Sequence, residues 1–270
     1  MSRSSKRARH NPLSFIGRQI KIQIQTRALS IFSFGLLVFQ PAVFSIVGYL
    51  LARMAGKPMP DLVHVIIGGG IMGMWSSLLF TSFFDISNDR REGTLELIVG
   101  SPTSITTVLA VRTFANILTG MVSMLLSFFV AMVFFKLSIP LQNLPYILIS
   151  LLILFFGFWC IGVFLAHFRV VSRVTGMFIN YMELPVAILA AFMFPIGYLP
   201  RWIMWLSNSI PLRWGVTSLN FSFGIQPTLA SIWLDWAISV GISLVYLLVT
   251  YLLSEKVHQM IRLTGELSSV

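Results

Sequence analysis

YILISLLILFFGFWCIGVFLA, residues Tyr146–Ala166, runs for 21 positions without a charged side chain. A helix rises 1.5 Å per residue, so this stretch reaches about 30 Å, the thickness of a bilayer's hydrocarbon core. Apolar residues would cover every face of that helix, and lipid is the solvent that accepts such a surface. Five further stretches share the property, at 28–52, 62–84, 105–135, 174–199 and 229–253. Those at 105–135 and 174–199 exceed the length needed, which allows tilt or a start in the headgroup layer. The sequence therefore predicts an all-α membrane protein with six transmembrane helices.

Composition agrees. Of 270 residues, 56% are hydrophobic, 13% aromatic and only 10% charged, with a mean hydropathy of +0.86. A soluble chain of this length has too little interior to hide so much apolar surface. The net charge of +10 does not point to nucleic acid, because the basic residues lie between apolar runs and at the N-terminus rather than on one polar surface. With six spans, both termini share a side. That side collects 14 basic residues: seven from Arg3 to Arg27, then Arg90, Arg91, Arg112, Arg169, Arg173, Lys256 and Arg262. The opposite side has five: Arg53, Lys57, Lys136, Arg201 and Arg213. The positive-inside rule then predicts a multi-pass protein of the cell membrane with both termini cytoplasmic. Cys160 is the sole cysteine and lies in an apolar run, which excludes an internal disulfide or a thiolate metal site.

No internal repeat or flexible linker divides the chain. It reads as an N-terminal tail and interfacial segment (1–27), a permease domain (28–253) and a C-terminal tail (254–270). Residues 1–11 read as disordered. The basic N-terminus leads into a polar, amphipathic stretch rather than a hydrophobic run, unlike a cleavable signal peptide. Within Ser14–Ser30, Phe15, Ile16, Ile20, Ile24 and Leu29 recur at helical spacing, with Arg18, Lys21, Gln25 and Arg27 elsewhere. This pattern fits an interfacial helix near anionic lipid, although Ile20, Ile22 and Ile24 also alternate as in a strand.

Two segments between spans carry mechanism. Asp85–Ser104 (DISNDRREGTLELIVGSPTS) is too long and too patterned for a simple turn. Thr94 is placed to cap a short helix with Glu96 in its first turn, ended by Gly100 and Pro102. A short helix lying across the membrane face is able to dock into a partner's groove and transmit rigid-body motion; the alternative is an interfacial loop with ordinary charges. The second segment, Phe194–Asn220, is aromatic and broken by Pro195, Pro200 and Pro211. Trp202, Trp205 and Trp214 suit the headgroup layer. It reads as two short helices re-entering the outer leaflet, or as a long aromatic belt loop.

The run Asp89, Arg90, Arg91, Glu92, Gly93, Thr94, Leu95, Glu96, followed by Ser101 and Pro102, resembles the loop signature of ABC type-2 transporter permeases. The Pro195–Trp214 stretch is similar to that family's signature before its last span. Arg91 stands where the family often has an acidic residue, and Asn220 where an Arg commonly follows. The resemblance implies the architecture of a type V ABC exporter. Ser14–Arg27 would be the connecting helix, 85–104 the coupling helix on an ATP-binding subunit, and 195–223 the outer re-entrant helices. It implies a drug, polysaccharide or lipid exporter of two permease chains and two ATPases. ATP and magnesium would be held by the ATPases, with no cofactor in this chain.

Glu183 is the one acidic residue near mid-membrane, where an unpaired charge costs several kcal/mol. It must be neutral, paired or hydrated. Arg112 is a candidate partner, and both residues are candidates for the translocation path. If Glu183 instead bound a proton or ion, the chain would be an ion-coupled carrier. An intramembrane enzyme fits less well, since no paired acids, Ser/His pair or HExxH motif lies at one depth. Asp235, His64 and His167 read as interfacial residues at span ends. Gly68–Gly73 matches GxGxxG by letter, but no strand precedes it, and close helix packing through Gly69 and Gly73 explains it better. No GxxxxGK[ST] loop is present, so energy must come from elsewhere. Asn220 begins a glycosylation sequon that matters only in a secretory pathway. Methionines such as Met121 and Met124 suit an amphiphilic cargo or plain lipid contact.

Overall fold

The computed structural model describes residues 17, 31–56, 59–93, 104–135, 143–171, 181–193, 196–225 and 232–264. Every regular element among them is helical: α1 (Ile31–Met54), α2 (Met59–Arg91), α3 (Ile105–Phe135), α4 (Leu144–Val171), α5 (Glu183–Leu189), a 3-10 turn (Ile196–Tyr198), α6 (Met204–Asn208), α7 (Pro211–Ser222) and α8 (Ile232–Thr264). Four contain stretches long and apolar enough to cross a membrane: Leu62–Leu79, Ile105–Leu126, Leu144–Phe168 and Ile232–Ser254. The apolar stretch of α1, Pro41–Met54, is shorter.

Burial orders these helices. Of Leu62–Leu79 in α2, 89% is buried inside the bundle, against 22% of Ile232–Ser254 in α8. Helix α2 is thus the central post, and α8 keeps Leu244, Val245, Leu248 and Leu252 on the outside. The post is built from small residues. A Cβ on Gly69 would lie 2.5 Å from Ser45 Oγ, and one on Gly73 would lie 2.1 Å from Pro41 Cγ, so α1 packs backbone to backbone against α2 as the glycine spacing predicts. Pro41 lies inside α1, and Ser45 Oγ donates to the Ile66 carbonyl at 3.1 Å. Trp75, Phe158 and Phe192, all fully buried, join α2, α4 and the segment after α5 through ring contacts of 5.9 and 6.1 Å.

Several expectations need correction. The span read as 174–199 does not stay helical, because α5 stops at Leu189. Ala191 adopts a left-handed φ of 55°, the Phe192 amide donates to Ala187 O, and the Ala191 amide donates to Ile188 O, both at 3.1 Å. Those two bonds close a helix end and turn the chain before Pro195 is reached. The second span, read to residue 84, continues to Arg91. His64 and His167 are 2% and 1% exposed, so they are interior residues and not interfacial ones. The proposed connecting helix, Ser14–Arg27, lies outside the described residues apart from Gly17, which is helical. Residues 1–11 also lie outside them.

Helices α6 and α7 form a hairpin that dips into the bundle. Ser207 Oγ donates to the Leu189 carbonyl at 2.5 Å, and Leu212 and Pro211 pack at Gly157, the midpoint of α4. At the other end of α7, Asn143 Nδ2 donates to Ser222 O at 3.1 Å, and the Ser150 and Ser222 hydroxyls are 3.2 Å apart. Helix α7 therefore climbs antiparallel to α4 from mid-bundle to the end where α4 begins. Pro211 opens α7 in its first turn, where its missing N–H costs no helical bond.

Candidate functional site

The connection between α2 and α3 is the first region of interest. Asp89, Arg90 and Arg91 form the last turn of α2, and exposed Glu92 and Gly93 turn away from it, Gly93 with φ +67°. Thr94, Leu95, Glu96 and Pro102, with the short helix expected there, lie outside the described residues. Ser104 caps α3: its Oγ accepts from the Thr107 amide at 3.2 Å and sits 2.8 Å from Thr107 Oγ1. A hydroxyl bonded to the third amide of a helix fixes where that helix starts.

Hydrogen bonds tie the start of α3 to α4. His167 of α4 bonds to Thr106 Oγ1 at 3.2 Å while its Nδ1 contacts Val163 O at 2.8 Å. Trp159 Nε1 donates to Ala110 O at 3.0 Å. The first turns of α3 are thereby tied to the end of α4. Sequence reading missed Thr106 and Trp159 and placed His167 at an interface, because a hydrogen bond between helices leaves no periodic trace.

Mid-bundle, Glu183 begins α5 and is partly buried. Its carboxylate accepts from the Ser76 hydroxyl, and its main-chain carbonyl accepts from Trp75 Nε1 at 3.2 Å. Ser76 and Trp75 are fully buried. A hydroxyl of α2 is thus a partner of Glu183. Arg112 lies two turns into α3 and is partly buried. Of the hairpin residues, Trp202 is 72% exposed, Pro200 is exposed, Pro211 is buried, and Trp214 Nε1 donates to Asn208 O at 3.1 Å. Pro195 lies outside the described residues.

A bundle of long apolar helices around a nearly buried post, with a hairpin dipping halfway in, defines a polytopic all-α membrane protein. The chain matches the family model described as CcmB protein over residues 13–198, and it belongs to that family. Members are permease components of ABC-type systems, so this is an ABC transporter permease and not itself the ATPase. The matched range covers α1 through α5 and includes the connection between α2 and α3. The coarser expectation of an ABC permease therefore holds, while the drug, polysaccharide or lipid exporter subtype is not what the match specifies. Comparison with curated proteins gives no match.

Proposed function

We propose that this chain is the membrane-spanning subunit of an ABC exporter, crossing the cell membrane six times with both termini cytoplasmic. It forms the translocation path with a second permease copy or a related permease. A separate ATP-binding subunit drives it through the α2–α3 connection. The observation that carries this reading is the family match, which runs through that connection and the central post it extends. The CcmB family is the permease component of an ABC-type haem exporter, and we take haem, an amphiphile with an apolar ring and carboxylate groups, as the cargo. The 24 residues of α1 reach about 36 Å, enough for one of the two additional crossings. The other ends at the turn on Ala191.

In this mechanism ATP and magnesium stay on the partner. Closing of the paired ATPases pushes on residues 89–96. The push on the end of α2 and the start of α3 reaches mid-bundle, where Gly120 of α3 packs on Met74 of α2 so closely that a Cβ would lie 2.8 Å from Met74 Cγ. Because α2 is packed on both sides by α1 and α3, it moves as a rigid lever, and Glu183, hung from Ser76, moves with it.

The test is reconstitution of the chain with its ATPase in liposomes. Haem should stimulate ATP hydrolysis, and substitution across Gly93–Glu96 should abolish the stimulation while leaving the ATPase's basal rate. The reading is lost if the isolated chain moves cargo on a proton or sodium gradient alone, the behaviour of an ion-coupled carrier that uses Glu183.

A further inference from the structure

Helices α7 and α8 enclose a set of charges that the transport reading does not use. Asp235, in the first turn of α8, is 4% exposed, and its Oδ2 has no hydrogen-bond partner among the described residues. Arg213, on α7, is partly buried, and its Nε and Nη1 are likewise without partners. The two charges act on each other across the interface, yet no hydrogen bond joins them. Asn220, two turns above Arg213 on the same face of α7 (spacing i, i+7), is 1% exposed, and its Oδ1 is also unpartnered. Buried polar atoms are nearly always bonded, and each exception calls for a group that completes it.

The outer end of this seam is marked by aromatic rings, and Arg213, close to the mid-bundle start of α7, lies at its inner end. Trp233 is 64% exposed and Tyr146 is 42% exposed; both meet the ring of Trp236, at 5.0 and 6.2 Å. Exposed Trp and Tyr at helix ends gather at the level of lipid headgroups. Asp235 lies between the two tryptophans in sequence and so sits at that level. The guanidinium of Arg213, with its carbon 4.3 Å from the Trp214 ring centre, is held in place by stacking.

We propose that Arg213, Asn220 and Asp235 form a binding subsite for a zwitterionic headgroup of the phosphoethanolamine type. The donor set dictates the class. Arg213 offers N–H donors at Nε and Nη1 to an anionic group, and a guanidinium suits phosphate oxygens. Asp235 Oδ2 and Asn220 Oδ1 are open acceptors for the other end of the ligand, and an ammonium N–H meets both their lone pairs and the charge of Asp235. A simple anion would be repelled by Asp235, and a quaternary ammonium has no hydrogen to give. The near cancellation of the Arg and Asp charges selects a dipolar ligand over a net-charged one.

The test compares lipids on the full-length chain in mixed micelles, reading retained lipid by native mass spectrometry. Phosphatidylethanolamine should be retained over phosphatidylcholine of the same acyl chains by at least about fivefold, as expected if two or three hydrogen bonds distinguish them. Stepwise N-methylation should erode the preference, and phosphatidylglycerol should not reproduce it. Asp235→Asn and Arg213→Gln should each bring the ratio close to one, whereas Trp202→Ala, on the exposed hairpin, should leave it unchanged. Soluble phosphoethanolamine separates the sources: competition with the lipid assigns the site to the headgroup alone, and failure to compete assigns it to the whole lipid. Equal retention of the two lipids by the unaltered chain, a comparison that needs no variant to fold, overturns the proposal, as does a preference that survives both charge substitutions. This outcome is independent of ATP coupling, so its failure would leave the transport reading untouched.

Discussion

The Ser76 hydroxyl on α2 donates to the carboxylate of Glu183, 107 residues further along the chain. Trp75, its neighbour, donates to the backbone carbonyl of the same residue, so two adjacent positions on the most buried helix grip one acidic residue by side chain and main chain. A donor inside the bundle is how a carboxylate at this depth avoids the cost of isolation. Ser76→Ala should therefore destabilise the protein by about 1–2 kcal/mol, seen as a lower melting temperature in detergent. Glu183→Gln, which keeps a carbonyl acceptor for Ser76, should cost less. Equal melting of both variants and the parent would remove Ser76 from the account.

Close approach of α2 to α1 and to the segment after α5 gives a second expectation. Alanine at Gly68 would place its Cβ 1.8 Å from the Phe192 carbonyl oxygen, and at Gly69 the methyl would meet the Ser45 backbone at 2.6 Å. Neither obstacle is a flexible side-chain end, so each substitution should cost about 1–3 kcal/mol in overpacking. Gly241, on α8, has nothing within 4 Å of its Cβ position, and Gly241→Ala should be neutral or stabilise by up to about 1 kcal/mol. Thermal denaturation of the three variants side by side checks the ordering.

Much of this architecture was legible because bilayer thickness acts directly on composition. The stretch 105–135 coincides with α3, since nothing but length and apolarity decides where such a helix runs. The two short helices of the hairpin were readable from proline positions, and the tight packing of Gly69 and Gly73 from their spacing. What escaped was set by partners distant in sequence. Asp235 reads as an interfacial acid, but its burial to 4% exposure is not foreseen. His167 lies at the edge of an apolar run, but Thr106 of α3 gives it a partner inside. The stop at Leu189 has no glycine to announce it, because an alanine takes the left-handed position.

That alanine is itself testable. Ala191 holds a φ of 55° where the turn after α7 uses Gly224 for the same role, with φ 72°. A left-handed L-residue costs roughly 1–2 kcal/mol, while glycine loses part of this gain to its larger unfolded-state entropy. Ala191→Gly should leave the melting temperature unchanged or raise it slightly. Ala191→Val, whose branched side chain resists this region, should lower it clearly. A valine variant as stable as the parent would mean that the helix end does not turn there.

Gly93 offers the sharpest link between conformation and coupling. It stands at the end of α2 with φ +67°, and a Cβ there would meet nothing within 4 Å, so a side chain is opposed by backbone strain alone and not by crowding. Gly93→Val should therefore cost roughly 1–2 kcal/mol locally without disturbing the packed bundle. Its melting temperature should stay near that of the parent, because the strain sits at an exposed turn. Residues 94–103 would, however, leave α2 in a different direction, displacing the surface on which the ATPase is proposed to push. Haem-stimulated ATP hydrolysis in the reconstituted complex should fall several-fold, with Gly93→Asn, which tolerates the left-handed region, retaining most of it. If valine couples as well as asparagine does, the direction of the chain at Gly93 has no part in transmitting the stroke.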